Sequence, residues 1–285
     1  MSEENNISET PETPENQLIQ EEFVCWERPS PQDSRDWMAE SIYPATRDLS
    51  LPKTLDLRPY LPLPRNQGSR GTCAAFSASA IKEYQEYKDY GFSGNMSPEY
   101  IYHFRKTVPG EGMFGRNVMK ILSQNGVCTE RQLPYRRPVN KDDKVDELED
   151  FSEELLAQGR KHVIKNYAQV NTIEGLKTAL YQNGPCYISF PVYSHRPELW
   201  RSSPGEKGSG GHAMSVVGYN EDGFIIRNSW GWNWNGNGYV IYPYKEFGVH
   251  WELWTLIDDE SPVREIPHNS LATSLKKIFL CLQDS

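Results

Sequence analysis

The chain has 285 residues, a net charge of −9 and 37% hydrophobic residues. That length suits one large domain with tails and is ample to bury a core. The acidic balance argues against a nucleic-acid-binding surface, and no run approaches the roughly 18–20 apolar residues of a membrane helix.

Residues 1–22 are acidic and almost without apolar anchors, so they read as a disordered tail. They have neither the basic start nor the apolar run of a secretory signal. Residues 23–50 differ, because they carry Phe23, Trp26, Trp37, Met38, Ile42 and Tyr43. They read as an arm docked on the body or as an inhibitory pro-segment. Cys25 sits in this arm, either idle or in reach of Cys73 or another thiol. The expected folded domain spans 51–260. Its lead-in, 51–69, is extended, because Pro52, Pro59, Pro62 and Pro64 exclude a helix.

A helix is predicted over 72–90, with Ala75, Phe76, Ala80, Ile81 and Tyr84 on one face. Thr72 or Ser69 opens it and Gly91 closes it. Residues 97–106 predict a second helix, with Ser97 as N-cap and Pro98 as first residue. A third is expected over 115–125, stopped by Gly126. The charged stretch 141–160 contains a surface helix over 147–160. A further helix over 173–184 is capped by Thr172 and ended by Gly184. The period then switches to strands at 186–194, 212–220, 223–230, 238–244 and 251–258, with turn residues at 220–223 and 235–238. The fold class is therefore α+β, a helical lobe followed by a β-rich lobe. The tail 261–285 holds an amphipathic helix at 270–282, expected to pack on the body.

Two stretches carry chemistry. In Asn66-Gln67-Gly68-Ser69-Arg70-Gly71-Thr72-Cys73, the cysteine sits in the first turn of a predicted helix. Backbone N–H groups and the positive helix end favour a thiolate there, and the thiolate is the nucleophile. Gln67 offers an amide donor beside the Cys73 N–H, a pair suited to an oxyanion hole. Alone, the cysteine could equally be a core filler. The second stretch decides between these. His212 opens one strand and Asn228 closes the next, 139 residues after Cys73 and 16 after His212 respectively. The first separation falls in the range of about 130–150 residues for papain-type enzymes. His212 supplies the base and Asn228 the amide oxygen that fixes its tautomer. Trp230 would cover that hydrogen bond.

Residues 66–77 and 210–243 thus resemble the papain family of cysteine peptidases, and the likeness extends over roughly 54–258. With Asp56-Leu57-Arg58-Pro59-Tyr60 leading in, the chain is most similar to the branch found in bacteria and large viruses. The resemblance implies a two-lobe fold with the active cleft between the lobes. It implies a cysteine-type endopeptidase acting through a thioester, with Cys73, His212, Asn228 and Gln67 as catalytic residues; the family's long helical pro-region is not evident, and the expectation of a zymogen rests on the arm at 23–50. A transamidase or acyltransferase on the same triad, or an inactive binding protein on the fold, are the alternatives. Gly110, Gly112, Gly211 and Trp230 are the expected substrate contacts, with Gly110-Glu111-Gly112 replacing the family's Gly-Gly pair. Two departures stand out. Arg70 replaces a cysteine that forms a disulfide in the family, and Ala74 replaces a tryptophan after the nucleophile. No insertion with paired histidines caps the cleft.

Five scattered cysteines, Cys25, Cys73, Cys128, Cys186 and Cys281, do not form a disulfide framework. A cytoplasmic or other reducing compartment is expected, a virion included. His103, His162, His195, His250 and His268 lack metal-ligand spacing, so neither metal nor cofactor is expected. The expected partner is a protein or peptide substrate.

Overall fold

In the computed structural model, described residues are 26–42, 50–138, 143–194 and 196–258. The tail 1–22, Cys25 and the segment 261–285, on which an amphipathic helix was expected, lie outside them. The N-terminal arm runs over the body and holds one helical turn, α1 (Ala39–Ile42). A two-residue strand, β1 (Leu55–Asp56), follows.

Helix α2 (Cys73–Tyr90) starts at the expected nucleophile and ends at Gly91, whose φ of 70° is the left-handed cap that glycine favours. It differs from the expected one-faced helix. Every residue from Cys73 to Glu86 is buried. Small side chains such as Ala74, Ala75, Ser77, Ala78 and Ala80 allow the close approach of neighbours on all sides, so no polar face is needed.

Helix α3 (Pro98–His103) opens on Ser97, whose Oγ accepts the Tyr100 N–H at 3.1 Å. Helix α4 is Gly115–Gln124. Helix α5 (Glu153–Gly159) is shorter than the expected 147–160. The reason is tertiary. Glu147 is held by Arg105, and Phe151 stacks on Tyr100 and His103, so this stretch lies extended over the helical lobe.

Strand β2 (Asn166–Gln169) was not expected. Helix α6 (Ile173–Asn183) is capped by Thr172, as expected. Strands β3 (Cys186–Val192), β4 (Gly210–Tyr219), β5 (Gly223–Arg227), β6 (Tyr239–Pro243) and β7 (Glu252–Ile257) complete the fold. The sheet is antiparallel, in the order β2-β7-β3-β4-β5-β6, with β1 paired to β4. Strand β5 stops at Arg227, short of the expected 230. Residues 228–230 turn out of the sheet, and Trp230 bridges Asn66 instead.

Two cores result. One lies among α2, α3, α4 and the β3–β7 face, with Tyr100, Met119, Tyr187 and Trp254 in it. The other packs α6 against the opposite face, with Leu180, Phe190, Phe224 and Tyr242. This is the expected α+β arrangement of two lobes. Helix α2 packs on β4 between them, so its N-terminus opens where the lobes meet.

Arg70 stands where the resemblance implies a disulfide-forming cysteine. Its guanidinium grips Glu99 through two bonds, 2.6 and 3.1 Å, and Glu99 also binds Arg136 at 2.8 Å. A buried ion pair stands in place of a covalent link. Removing the carboxylate strands two arginines. Glu99→Ala should therefore cost about 3–5 kcal/mol in a denaturant melt. A loss below about 1 kcal/mol would show that the pair carries no such weight.

Candidate active site

Cys73 is the first residue of α2 and is 1% exposed. Thr72 occupies the N-cap position but makes no capping bond, because its hydroxyl is engaged with the Tyr135 hydroxyl at 2.8 Å. The first-turn N–H groups of α2 therefore have no side-chain cap and stand at the nucleophile. The sulfur lies beside Ala213 of β4, whose backbone N–H bonds to it.

The expected thiolate is not the form this arrangement favours. Burial pushes the Cys73 thiol up to about 12; the Ala213 N–H opposes that, the Glu27 carboxyl adds to it, and the Ala74 and Cys73 N–H groups oppose it further. The helix end acts as expected, but desolvation outweighs it.

His212 is fully buried in β4, and its Nε2 lies 2.7 Å from Asn228 Oδ1. That contact assigns Nε2 as the protonated nitrogen and leaves Nδ1 as the basic one. Asn228 is held in turn, since its Oδ1 also accepts the Ser229 N–H at 2.7 Å. Trp230 stacks on the imidazole with centroids 4.4 Å apart and is itself 3% exposed. It shields the His–Asn bond, as expected. Its burial makes it a support for the base more than a surface for substrate.

Gln67 is fully buried. Its Oε1 accepts the Ser229 hydroxyl at 2.6 Å, and its Nε2 donates to the Arg70 carbonyl at 2.8 Å. The amide nitrogen is thereby turned toward the loop that leads into Cys73, with a second hydrogen to donate. Ser229 thus orients both Gln67 and Asn228. It was present in the sequence motif, but only the fold shows that one serine serves two partners.

The arm crosses the cleft in front of these groups. The Glu27 N–H donates to the Gly211 carbonyl at 2.9 Å, and the Arg28 N–H to the Met113 carbonyl at 3.2 Å. One lobe contributes Gly211 and the other Met113, so the arm bridges both. Two glycines permit this approach. A Cβ on Gly112, whose φ is +81°, would lie 1.8 Å from the Trp26 carbonyl oxygen; one on Gly211 would lie 2.5 Å from that of Glu27. Gly110 departs from expectation. It lies in an exposed turn, and an added Cβ would meet only the Thr107 carbonyl. The glycine spacing alone did not show that Gly112-Met113, not Gly110, faces the cleft.

Aromatic residues were expected to anchor the arm, yet Trp26 and Trp37 are 45% and 57% exposed. Phe23 and Tyr43 lie outside the described residues. Ala39 and the expected anchor Ile42 pack on the core beside α6, and polar groups hold the rest of the arm. Glu27 is buried. Ser30 reaches Glu252 at 3.2 Å, Asp36 pairs with Arg116 at 2.9 Å, and Glu40 accepts the Asn171 and Thr172 N–H groups at 2.8 and 3.0 Å. Burial, and next the neighbouring Glu252 carboxylate, hold the Glu27 carboxyl well above the usual carboxylate range. Among the described residues, no cluster of His, Cys, Asp and Glu is arranged to hold a metal ion. No described helix is long and apolar enough to cross a membrane.

The family model described as papain family cysteine protease matches residues 51–249. An uncharacterized peptidase C1-like protein of Acanthamoeba polyphaga mimivirus is 29% identical over 67% of this chain and 68% of its own length. Cysteine proteinase 3 of Entamoeba histolytica is 26% identical over 67% of this chain and 62% of its own length. Among solved structures, xylellain, a cysteine protease from Xylella fastidiosa, superposes with a TM-score of 0.67 at 23% identity, covering 85% of this chain and 98% of that one.

The covered thiol has a measurable consequence. Alkylation of Cys73 by iodoacetamide, followed by peptide mass mapping near neutral pH, should be slow in the full chain. Deletion of residues 1–50 should speed it at least about tenfold, since hydration and loss of Glu27 both lower the thiol's pKa. Equal rates would show that the arm does not shield the sulfur.

Proposed function

The chain belongs to the papain family of cysteine proteases, and on that premise we propose that it is an endopeptidase working through a thioester on Cys73. One observation carries the reading. Cys73 at the head of α2, the His212–Asn228 pair and the Gln67 amide converge from three separate parts of the chain. Once the arm withdraws, His212 takes the thiol proton and the sulfur bonds to the substrate's carbonyl carbon. Gln67 Nε2 and the Cys73 N–H hold the resulting oxyanion. The C–N bond then breaks as His212 returns the proton to the departing amine. Water, deprotonated by His212, attacks the thioester and restores the thiol. A cleft that accepts extended chain from Trp26 to Ser30, with the chain continuing beyond it, supports action on interior peptide bonds. The ion pair at Arg70, in place of a disulfide, supports a reducing compartment. Cys73→Ala should abolish turnover of fluorogenic peptides, and persistent activity would sink the assignment.

The same reading makes residues 23–50 a restraint on activity. The support is the Glu27–Gly211 backbone bond across the cleft and the burial of Cys73 beneath it. Glu27 faces Glu252 of β7, Tyr187 and Ser189 of β3, and Cys73 of α2. Because its carboxyl is raised only when docked, docking takes up a proton. The arm therefore binds best below the ordinary glutamate range and loosens as pH rises toward the docked value. We expect full-length enzyme, relative to a version starting near Leu51, to be most inhibited in mild acid and least near pH 8. Glu27→Gln, neutral throughout, should flatten that profile and keep inhibition at pH 8. A profile shared by both lengths would rule the restraint out.

A further inference from the structure

The Gly110-Glu111-Gly112 stretch holds at its centre an acid that the proposed mechanism does not use. Glu111 is exposed, on the loop that follows α3. That loop is fixed from within. Arg105 Nε donates to the Gly110 carbonyl at 3.2 Å, and the Thr107 hydroxyl donates to the Gly112 carbonyl at 2.5 Å. From this support Glu111 reaches across to the loop before the nucleophile, where its Oε2 accepts the Gly71 N–H at 2.8 Å. Gly71 is buried, so its N–H needs a partner. The two loops approach so closely that a Cβ on Gly71 would lie 2.9 Å from Glu111 Oε2 and 3.0 Å from the Gly112 nitrogen.

An exposed hydrogen bond contributes little by itself. What sets this one apart lies at the other end of the same peptide group. The Gly71 N–H and the Arg70 carbonyl share one rigid plane. That carbonyl accepts Gln67 Nε2 at 2.8 Å and the Thr72 N–H at 2.8 Å. Glu111 therefore holds one end of a plate whose other end holds the Gln67 amide. A carboxylate on the N–H also polarises the peptide toward its carbonyl oxygen, which strengthens both bonds that oxygen accepts. One Nε2 hydrogen of Gln67 is committed to Arg70, so the plane that receives it sets where the other points.

We propose that Glu111 is a positioning residue for the oxyanion site, acting on Gln67 through the Arg70–Gly71 peptide. The inference rests on the peptidase reading, which makes Gln67 an oxyanion donor. Without the Glu111 carboxylate the peptide is free to tilt, and the Gln67 amide loses the fixed direction on which such stabilisation depends.

Three readouts on the full chain near pH 8 test this. The first is hydrolysis of a fluorogenic peptide. The second is binding of a peptide aldehyde, whose carbonyl carbon bonds to the Cys73 sulfur while its oxygen enters the oxyanion site and takes up the thiol proton. The third is alkylation of Cys73 by iodoacetamide, which displaces iodide and forms no oxyanion. Glu111→Ala should lower kcat by about tenfold with KM changed less than about twofold, and should weaken aldehyde binding by about tenfold. Its alkylation rate should stay within about twofold of the parent, since neither the thiol nor its cover has changed. Glu111→Gln, whose amide oxygen still accepts the Gly71 N–H, should remain within about threefold of the parent in all three. The inference is overturned if Glu111→Ala keeps kcat and aldehyde binding, if Glu111→Gln falls as far as Glu111→Ala, or if alkylation shifts as far as kcat. Weaker aldehyde binding by Glu111→Ala, from a parent that cleaves no peptide, would uphold the role of Glu111 and defeat the endopeptidase reading.

Discussion

The structure depends on the burial of one helix end. Helix α2 carries its first four turns between two cores with no exposed face, and its N-terminus emerges where the lobes meet. The small residues that follow Cys73 make this possible. They let β4 approach the helix closely enough for the Ala213 N–H to reach the sulfur. Strand β4 also carries His212, the neighbour of Ala213, so the packing of β4 on α2 sets the candidate base at the same end of the helix as Cys73. The candidate site follows from how α2 is buried.

The same burial explains the protonation of Cys73. A helix N-terminus lowers a thiol's pKa, while removal of water raises it. With the arm across the cleft the second effect is larger, and Cys73 is held as a thiol. Arm and nucleophile are coupled through one residue, since Glu27 both seats the arm and places a carboxyl near the sulfur. The anchoring of the arm through Glu27, Ser30, Asp36 and Glu40 is polar and charged. Contacts of this kind respond to pH and salt far more than apolar burial does.

The loop from Asn66 to Thr72 is held by polar contacts, with no disulfide among the described residues. Arg70 clamps Glu99, Tyr135 bonds to the Gln67 carbonyl at 2.7 Å, and Ser229 fixes the Gln67 amide. Each is a directional bond inside a low-dielectric interior, where such bonds are strongest. Arg70 also lies over the rings of Tyr102 and Tyr135 at 5.2 Å, which adds contact to its charge pairing. Ala74, where the family has a tryptophan, is fully buried, so the change is absorbed within the helical core.

Much of this was legible in the sequence. The period change from helix to strand, the caps at Ser97, Thr172 and Gly91, and the Gln67–Cys73–His212–Asn228 order are local patterns, and local patterns survive in one dimension. What failed was decided by distant contacts. The helix expected from 147 is shortened because Glu147 and Phe151 meet Arg105 and Tyr100 from another segment. Strand β2 exists because β7 offers it an edge. Gly110 and Gly112 are two residues apart, yet only Gly112 meets the arm. Composition pointed to the arm's aromatics, whereas the folded surface offers partners to its acids. The sequence alone determined which residues are able to do the chemistry. Only the tertiary structure decided that Glu27 meets Glu252 over a buried Cys73, because that meeting joins residues 225 positions apart, and no local pattern records it.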